Sequence, residues 1–364
     1  MSIERRNSRA VTAGNTLIGG KSRITVQSMT NTDTHDIEAT YRQVMRLAEA
    51  GCDIVRITAP DLASVKTFEV LKARGVSVPL VADIHFDYKI ALAAAQGGAD
   101  KIRINPGNIG NDERVRAVAD TCKAARVPIR IGVNSGSLEK NILQKYGAAT
   151  GEALAESALY HAGLLEDCGF SDIVISVKAS SVNEMLLANR ILASKTDYPL
   201  HLGVTEAGGG RRAIIKSSIG VGALLSEGIG DTVRVSLTDD PVEEVYAARD
   251  ILSALSLTDR GGMDIVSCPT CGRTKIDLIG ISREFSRRIR EEGLDKMNIK
   301  VALMGCAVNG PGEAREADVG IAGGSGEGLL FKRGQIIRKI PQQRLVDELI
   351  VEIKKMSLGD SDGK

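Results

Sequence analysis

Lys101-Ile102-Arg103-Ile104-Asn105-Pro106-Gly107 and Ile129-Arg130-Ile131-Gly132-Val133-Asn134 are the stretches on which the fold turns. Each sets apolar residues on one side of a two-residue repeat and polar or charged ones on the other, as a pleated strand requires. The same rhythm recurs in segments beginning near Ile24 (ITVQS), Asp53 (DIVRIT), Pro79 (PLVADIH), Ile173 (IVISVK), Leu200 (LHLGVTE) and Thr232 (TVRVSL). Helical patterns such as Glu38–Ala50, Ala63–Arg74 and Asn183–Ser194 lie between them. Repeated strand–helix alternation implies parallel strands. Eight such units in roughly 250 residues suit an α/β fold of the (β/α)8 TIM barrel type, although the pattern alone also admits a doubly wound open sheet. The interval between the fifth and sixth strands is the longest and predicts two helical pieces, Ser137–Tyr146 and Gly151–Cys168.

In a barrel, the apolar side of each strand packs under the helices and the other side faces the axis. Arg56 and Thr58 then point inward, as do Asp83 with His85, Arg103 with Asn105, Arg130 with Asn134, Ser176 with Lys178, His201 with Thr205, and Arg234 with Ser236. Four arginines and a lysine converge on the C-terminal mouth, where such barrels place their active sites. Asp83 and Glu206 are the acids in view, and two acids do not balance five cations. Enclosed cations without partners cost several kcal/mol each, so an anionic ligand is implied. Arginine grips phosphate through forked, charge-assisted hydrogen bonds, and a diphosphate matches the surplus better than a monophosphate. Lys178 also admits a second reading, a Schiff-base aldolase, because crowded arginines would depress the pKa of its amine.

The rhythm breaks at Thr258–Met263, which divides the chain into a substrate-binding barrel (1–258) and a small α/β unit (264–356), with a polar, disordered tail (357–364). The small unit predicts a helix over Thr274–Glu292, strands at Lys300–Leu303 and Ala317–Ala322, a hairpin near Lys332-Arg333-Gly334 and a last helix over Gln342–Met356. It carries Cys268-Pro269-Thr270-Cys271 and, further on, Cys306 with Glu313 beyond a Gly-Pro-Gly turn. Three thiolates leave one metal position for a weaker ligand, as a catalytic iron–sulfur site needs. The Cys-x-x-Cys pair also suits a structural zinc knuckle, but the second half offers no further cysteine pair, and all four histidines lie in the barrel. Glu313 is either a surface acid or a ligand folded back to the same metal. Cys52, Cys122 and Cys168 read as buried small hydrophobes. Gly323–Gly328 lacks the Lys-Ser/Thr ending of a phosphate loop and reads as a turn.

Lys and Arg number 47 against 46 Asp and Glu, there is no Trp, and Phe plus Tyr come to eleven. Neither a basic excess nor stacking aromatics supports nucleic-acid binding. The start Met-Ser-Ile-Glu-Arg-Arg lacks the apolar stretch expected of a signal peptide, no apolar run suits a membrane span, and six cysteines in a chain this size do not suggest a disulfide scaffold. The expectation is a cytoplasmic protein with reduced thiols.

VQSMTNTDT (26–34), ADIHFD (82–87), RINPGN (103–108), RIGVNSGSL (130–138), LGVTEAG (202–208), SCPTCGR (267–273) and GCAVNGPGEAREADVG (305–320) together resemble the bacterial 4-hydroxy-3-methylbut-2-enyl diphosphate synthase family over nearly the whole chain. The resemblance implies a dihydropteroate-synthase-like barrel and a C-terminal domain similar to those of sulfite and nitrite reductases. It implies a 4Fe-4S cluster on Cys268, Cys271, Cys306 and Glu313. It also implies reductive opening and dehydration of 2-C-methyl-D-erythritol 2,4-cyclodiphosphate in isoprenoid biosynthesis, with electrons from flavodoxin or ferredoxin. Arg56, Arg103, Arg130, Lys178 and Arg234 match the family's diphosphate-binding positions, with Asn134, Thr205 and Ser236 nearby. Glu206 is the candidate proton donor, with Asp83 and His85 as further candidates. Members of the family are homodimers in which one chain's cluster domain caps its partner's barrel. The rivals are the aldolase with a zinc-stabilised appendage and a non-enzymatic iron–sulfur carrier.

Overall fold

The computed structural model of the chain describes residues 3–258, 262–306 and 314–359. It divides into two compact units, Met1–Thr258 and Asp259–Lys364. The first opens with an antiparallel hairpin, β1 (Ala10–Ala13) and β2 (Thr16–Gly19). Eight strands follow: β3 (Thr25–Met29), β4 (Ile54–Thr58), β5 (Leu80–Asp83), β6 (Lys101–Ile104), β7 (Ile129–Asn134), β8 (Ile173–Lys178), β9 (His201–Leu202) and β10 (Thr232–Val233). They pair in parallel in the order β8-β7-β6-β5-β4-β3-β10-β9. A parallel bridge between Ile175 and Leu200 joins the two ends of that order and closes the ring. The closed barrel is thereby established over the open sheet.

Two separate apolar clusters show the pleat at work. Val55, Ile57, Ala82, Ile102, Ile104, Ile129, Ile131, Ile175 and Val177 join the helices in one large core. Ile54, Val81 and Val174, on the opposite pleat face, instead pack with Val11, Ala13 and Ile18 of the hairpin. The hairpin therefore plugs the N-terminal end of the barrel with apolar side chains. Most of the inward polar residues lie towards the C-terminal end.

Helices begin where a short polar side chain can satisfy their orphan N–H groups. Asp36 accepts from Ala39 N, Asn111 from Arg114 N, Thr150 from Ala153 N and Ser181 from Glu184 N. The long interval does hold two helices, Lys140–Tyr146 and Gly151–Glu166. The strand ladders of β9 and β10 are only two residues long, shorter than LHLGVTE and TVRVSL suggested. Gly203 lies so close to the Arg234 carbonyl that a Cβ there would stand 2.6 Å from it. The two chains leave the ladder at that crowded point.

The second unit holds a five-stranded sheet in the order β11 (Asp264–Ser267), β12 (Lys300–Met304), β13 (Val319–Gly323), β14 (Glu327–Lys332) and β15 (Gln335–Pro341). Its first three strands are parallel and its last two pairings antiparallel. β11 was not foreseen, because DIVS is short and its burial pattern does not alternate cleanly. Helices Leu278–Glu291 and Leu345–Gly359 pack Phe285, Ile289, Leu349 and Ile353 against Val301, Leu303, Val319 and Ile321. The first helix starts at Leu278 rather than Thr274, because Asp277 caps it by accepting from Gly280 N. The last helix runs to Gly359, into the segment expected to be a disordered tail. Gly323–Gly328 is a turn between β13 and β14, closed by Gly324 N donating to Glu327 O at 2.7 Å. Cys52 and Cys122 are buried, and burial pushes both thiols up to about 12. Cys168 is only half-buried, because it follows the end of its helix at Glu166.

Candidate active site

Alternate residues of the barrel strands converge on one cavity of about 130 Å³. Arg56, Asp83, His85, Arg103, Arg130, Asn134, Lys178, Thr205, Arg234 and Ser236 all line it, together with Gly132 and Ser176. Every expected substrate-binding residue is therefore in one place. A larger cavity of about 880 Å³ lies on the helical exterior, lined by Glu139, Tyr146, Tyr160 and His161 among others, but it lacks a converging set of cations.

The acids in the barrel are few and fully engaged. Asp83 accepts from Arg103 Nη1 at 3.2 Å and stands 3.6 Å from Arg56 Nε. Burial pushes its carboxyl up, but Arg56, Arg103, His85 and Arg130 outweigh that and hold it at about 2. Asp83 is thus a fixed carboxylate that orients arginines, a poor proton donor. His85 stands at the rim, half exposed, with Nε2 4.0 Å from Asp83. The second acid is Glu244, which sequence reading missed. Its carboxylate takes Arg234 through two bonds of 3.1 Å and also accepts from Ser28 Oγ at 2.8 Å. Its signal was present: it falls with Pro241, Val245 and Ala248 on the apolar face of helix Pro241–Ala254, where an unpartnered carboxylate would not be buried. Glu206, the acid chosen instead, is exposed beyond β9 and does not line the cavity. Its backbone is left-handed, with φ of 52°, unusual for a non-glycine residue.

Arg130 is 1% exposed and makes a long contact, Nη1 to Gln27 Oε1 at 3.5 Å. Lys178 is buried; desolvation and then Arg234, Arg56, Arg130 and Arg103 drive its amine well below the ordinary lysine range. Two inward glycines make room for these side chains. A Cβ on Gly132 would stand 2.3 Å from Arg103 Nε, and one on Gly203 3.1 Å from Lys178 Nζ. An enclosed, donor-rich cavity with an excess of cations is built to take a polyanion.

In the second unit, Cys268 follows β11 and Cys306 lies just past β12. Parallel pairing of Ser267 with Leu303 brings them to the same end of the sheet. Gly305 N donates to Cys268 Sγ at 3.2 Å, and Lys275 N donates to Gly305 O at 3.0 Å, so the Cys-x-x-Cys turn is tied to the Cys306 strand. Within that turn Cys271 N donates to Thr274 Oγ1 at 3.1 Å. The exposed Cys271 thiol is lowered, first by the Arg273 backbone N–H. Among the described residues no three His, Cys, Asp or Glu side chains are grouped closely enough to hold a metal ion. Glu313 lies outside the described residues. The donor chemistry nonetheless fits an iron–sulfur group: soft sulfurs from one sheet end, one with an amide N–H on its sulfur, a typical outer contact of a bound thiolate.

Residues 8–249 match the family model described as the GcpE TIM-barrel domain, and residues 264–355 match the GcpE protein C-terminal domain. The chain belongs to the GcpE family. Among its GcpE relatives, a Clostridium acetobutylicum protein is 56% identical over 354 residues, covering 97% of this chain and 100% of the relative. A Clostridium perfringens protein is 56% identical over 348 residues, covering 96% and 98%. Both are named 4-hydroxy-3-methylbut-2-en-1-yl diphosphate synthase (flavodoxin). Of solved structures, dihydropteroate synthase from Xanthomonas albilineans has a TM-score of 0.50 at 18% identity, covering 68% of this chain and 98% of the other. N-acetylneuraminic acid synthetase from Leptospira borgpetersenii also has a TM-score of 0.50, at 16% identity, covering 68% and 90%. At such identity these two speak for the barrel fold alone.

Proposed function

We infer that this chain is an oxidoreductase of isoprenoid biosynthesis, which opens 2-C-methyl-D-erythritol 2,4-cyclodiphosphate reductively and dehydrates it to 4-hydroxy-3-methylbut-2-enyl diphosphate. The observation that carries the reading is the five-cation cavity, in a chain 56% identical over almost its full length to relatives bearing that enzyme's name. The aldolase with a zinc appendage is set aside by the same relatives. The carrier reading has no use for such a cavity.

Arg56, Arg103, Arg130, Lys178 and Arg234 hold the diphosphate, with Asn134, Thr205 and Ser236 donating to its oxygens or to the sugar. Asp83 and Glu244 fix three of the arginines, so little reorganisation is needed when negative charge grows on the diphosphate at ring opening. Cys268, Cys271, Cys306 and Glu313 would hold a 4Fe-4S cluster, which would supply electrons and a Lewis-acidic iron. A carboxylate there would be a more readily exchanged ligand than a fourth thiolate. Flavodoxin or ferredoxin delivers the electrons, and two chains pair so that each cluster domain serves its partner's barrel. The enzyme works in the cytoplasm with reduced thiols. Glu206, exposed just beyond β9 and outside the cavity lining in the empty barrel, is the donor we propose for the departing hydroxyl; Asp83, held as a carboxylate, is not, and His85 at the rim is a second donor candidate.

Two measurements on anaerobically purified protein test this. Iron and sulfide analysis should find four of each per chain for a 4Fe-4S cluster; zinc without sulfide would refute the cluster assignment. Glu206→Gln should keep the cluster spectrum and substrate affinity while turnover drops at least ~100-fold, the range of general acid catalysis. Unchanged turnover would remove Glu206 from the proton path.

A further inference from the structure

Lys101 is the first residue of β6 and shares the inward pleat face with Arg103, one step deeper in the barrel. It is 0% exposed and does not line the substrate cavity. Its Nζ has no hydrogen-bond partner among the described residues. The charged groups that act on it are cationic, Arg130 from β7 and Arg56 from β4. His201 of β9 also feels Lys101, and its own Nε2 is buried without a partner. Val81, the register partner on β5, is apolar. Among the described residues no carboxylate pairs with it: Asp83 is spent on Arg56 and Arg103, and Glu244 on Arg234.

An arginine cannot relieve such crowding by losing its proton, whereas a lysine can. A buried ammonium with neither acceptor nor counter-charge is costly to keep charged. We propose that Lys101 is a proton acceptor beneath the substrate site: a neutral amine in the empty barrel, it takes a proton from solvent when a diphosphate is seated above it. The anion's field removes the penalty that the arginines impose, so binding and protonation favour one another. Lys101 thus acts without touching the ligand, as a positioning residue that adjusts the charge of the cavity. Burial and the arginines lower its amine well below the usual lysine range, in line with this role. The inference rests on the diphosphate reading of the cavity above it.

The test is calorimetric titration of the anaerobic holoprotein with the cyclodiphosphate, without an electron donor, in buffers of different ionisation enthalpy. The number of protons taken up per bound ligand should be lower by about one in Lys101→Met than in the wild type. The ligand's own protonation change is common to both and cancels. The fall of affinity with rising pH, up to tenfold per unit for each proton taken up, should become shallower by the same amount. Equal uptake by the two proteins overturns the proposal. Lys101→Met should also fold with a midpoint at or above that of the wild type, because it removes a buried polar group that has no partner; a lowered midpoint marks Lys101 as a structural partner instead. Failure of the wild type to bind the cyclodiphosphate at all would refute the diphosphate reading and leave a distinct signature.

Discussion

At the scale of the residue, the site is an argument about pairing. Asp83 is the clearest case, since its carboxyl falls from 3.8 to about 2. A lowered carboxyl pKa contributes stability that is fully present above the unfolded value and lost as pH falls through the folded one. Asp83→Asn should therefore be destabilised near neutral pH, and its deficit relative to the wild type should shrink between about pH 4 and pH 2. Urea titrations at each pH measure this; a deficit independent of pH would mean that Asp83 matters for shape and not for charge. Gly132→Ala tests the converse, space. With its Cβ 2.3 Å from Arg103 Nε, the variant should fold but bind substrate ~10–100-fold more weakly, as expected for one displaced charge-assisted contact. An unchanged KM would show that Arg103 moves aside without cost. Most of this site was legible from the alternation of strand residues alone. Lys101 obeys the same rule and was passed over because it opens its strand. Glu244 was not reached because it comes from a helix, where strand alternation says nothing. The placement of Glu206 was beyond any pattern, since a left-handed backbone after a two-residue ladder turns it out of the cavity lining.

At the scale of the element, the barrel depends on a hairpin that the strand–helix rhythm does not announce. Ala10–Ala13 and Thr16–Gly19 precede the first repeating unit and are too short to stand out. Yet Ile18 is fully buried against the lower ends of three barrel strands. Ile18→Ala should cost about 2–5 kcal/mol, the range for emptying a well-packed aliphatic site. Chemical denaturation checks this; a loss below ~1 kcal/mol would show that the plug is dispensable. In the second unit the Cys-x-x-Cys turn displaced the expected helix start, because Thr274 bonds back to Cys271 and leaves Asp277 to cap the helix. Local hydrogen bonding of that kind competes with helix propensity and is hard to weigh from sequence.

At the scale of the whole molecule, the two units carry different reactive groups, cations in the barrel and cysteines in the smaller unit. The barrel concentrates positive charge at one end by sealing the other with apolar side chains. The second unit gathers its cysteines at the end of a parallel pair of strands. Composition foretold neither half: a near-neutral balance of 47 basic and 46 acidic residues hides a strongly cationic interior. No described helix is long and apolar enough to cross a membrane. On the proposed function, the cationic cavity holds a cyclic diphosphate while electrons reach it. Phosphorus NMR of anaerobic holoprotein with reduced flavodoxin and 2-C-methyl-D-erythritol 2,4-cyclodiphosphate tests it most directly. The resonances of the cyclic diphosphate should give way to those of the linear ester, 4-hydroxy-3-methylbut-2-enyl diphosphate. Protein with a full complement of iron and sulfide that leaves the cyclic resonances unchanged would contradict the account.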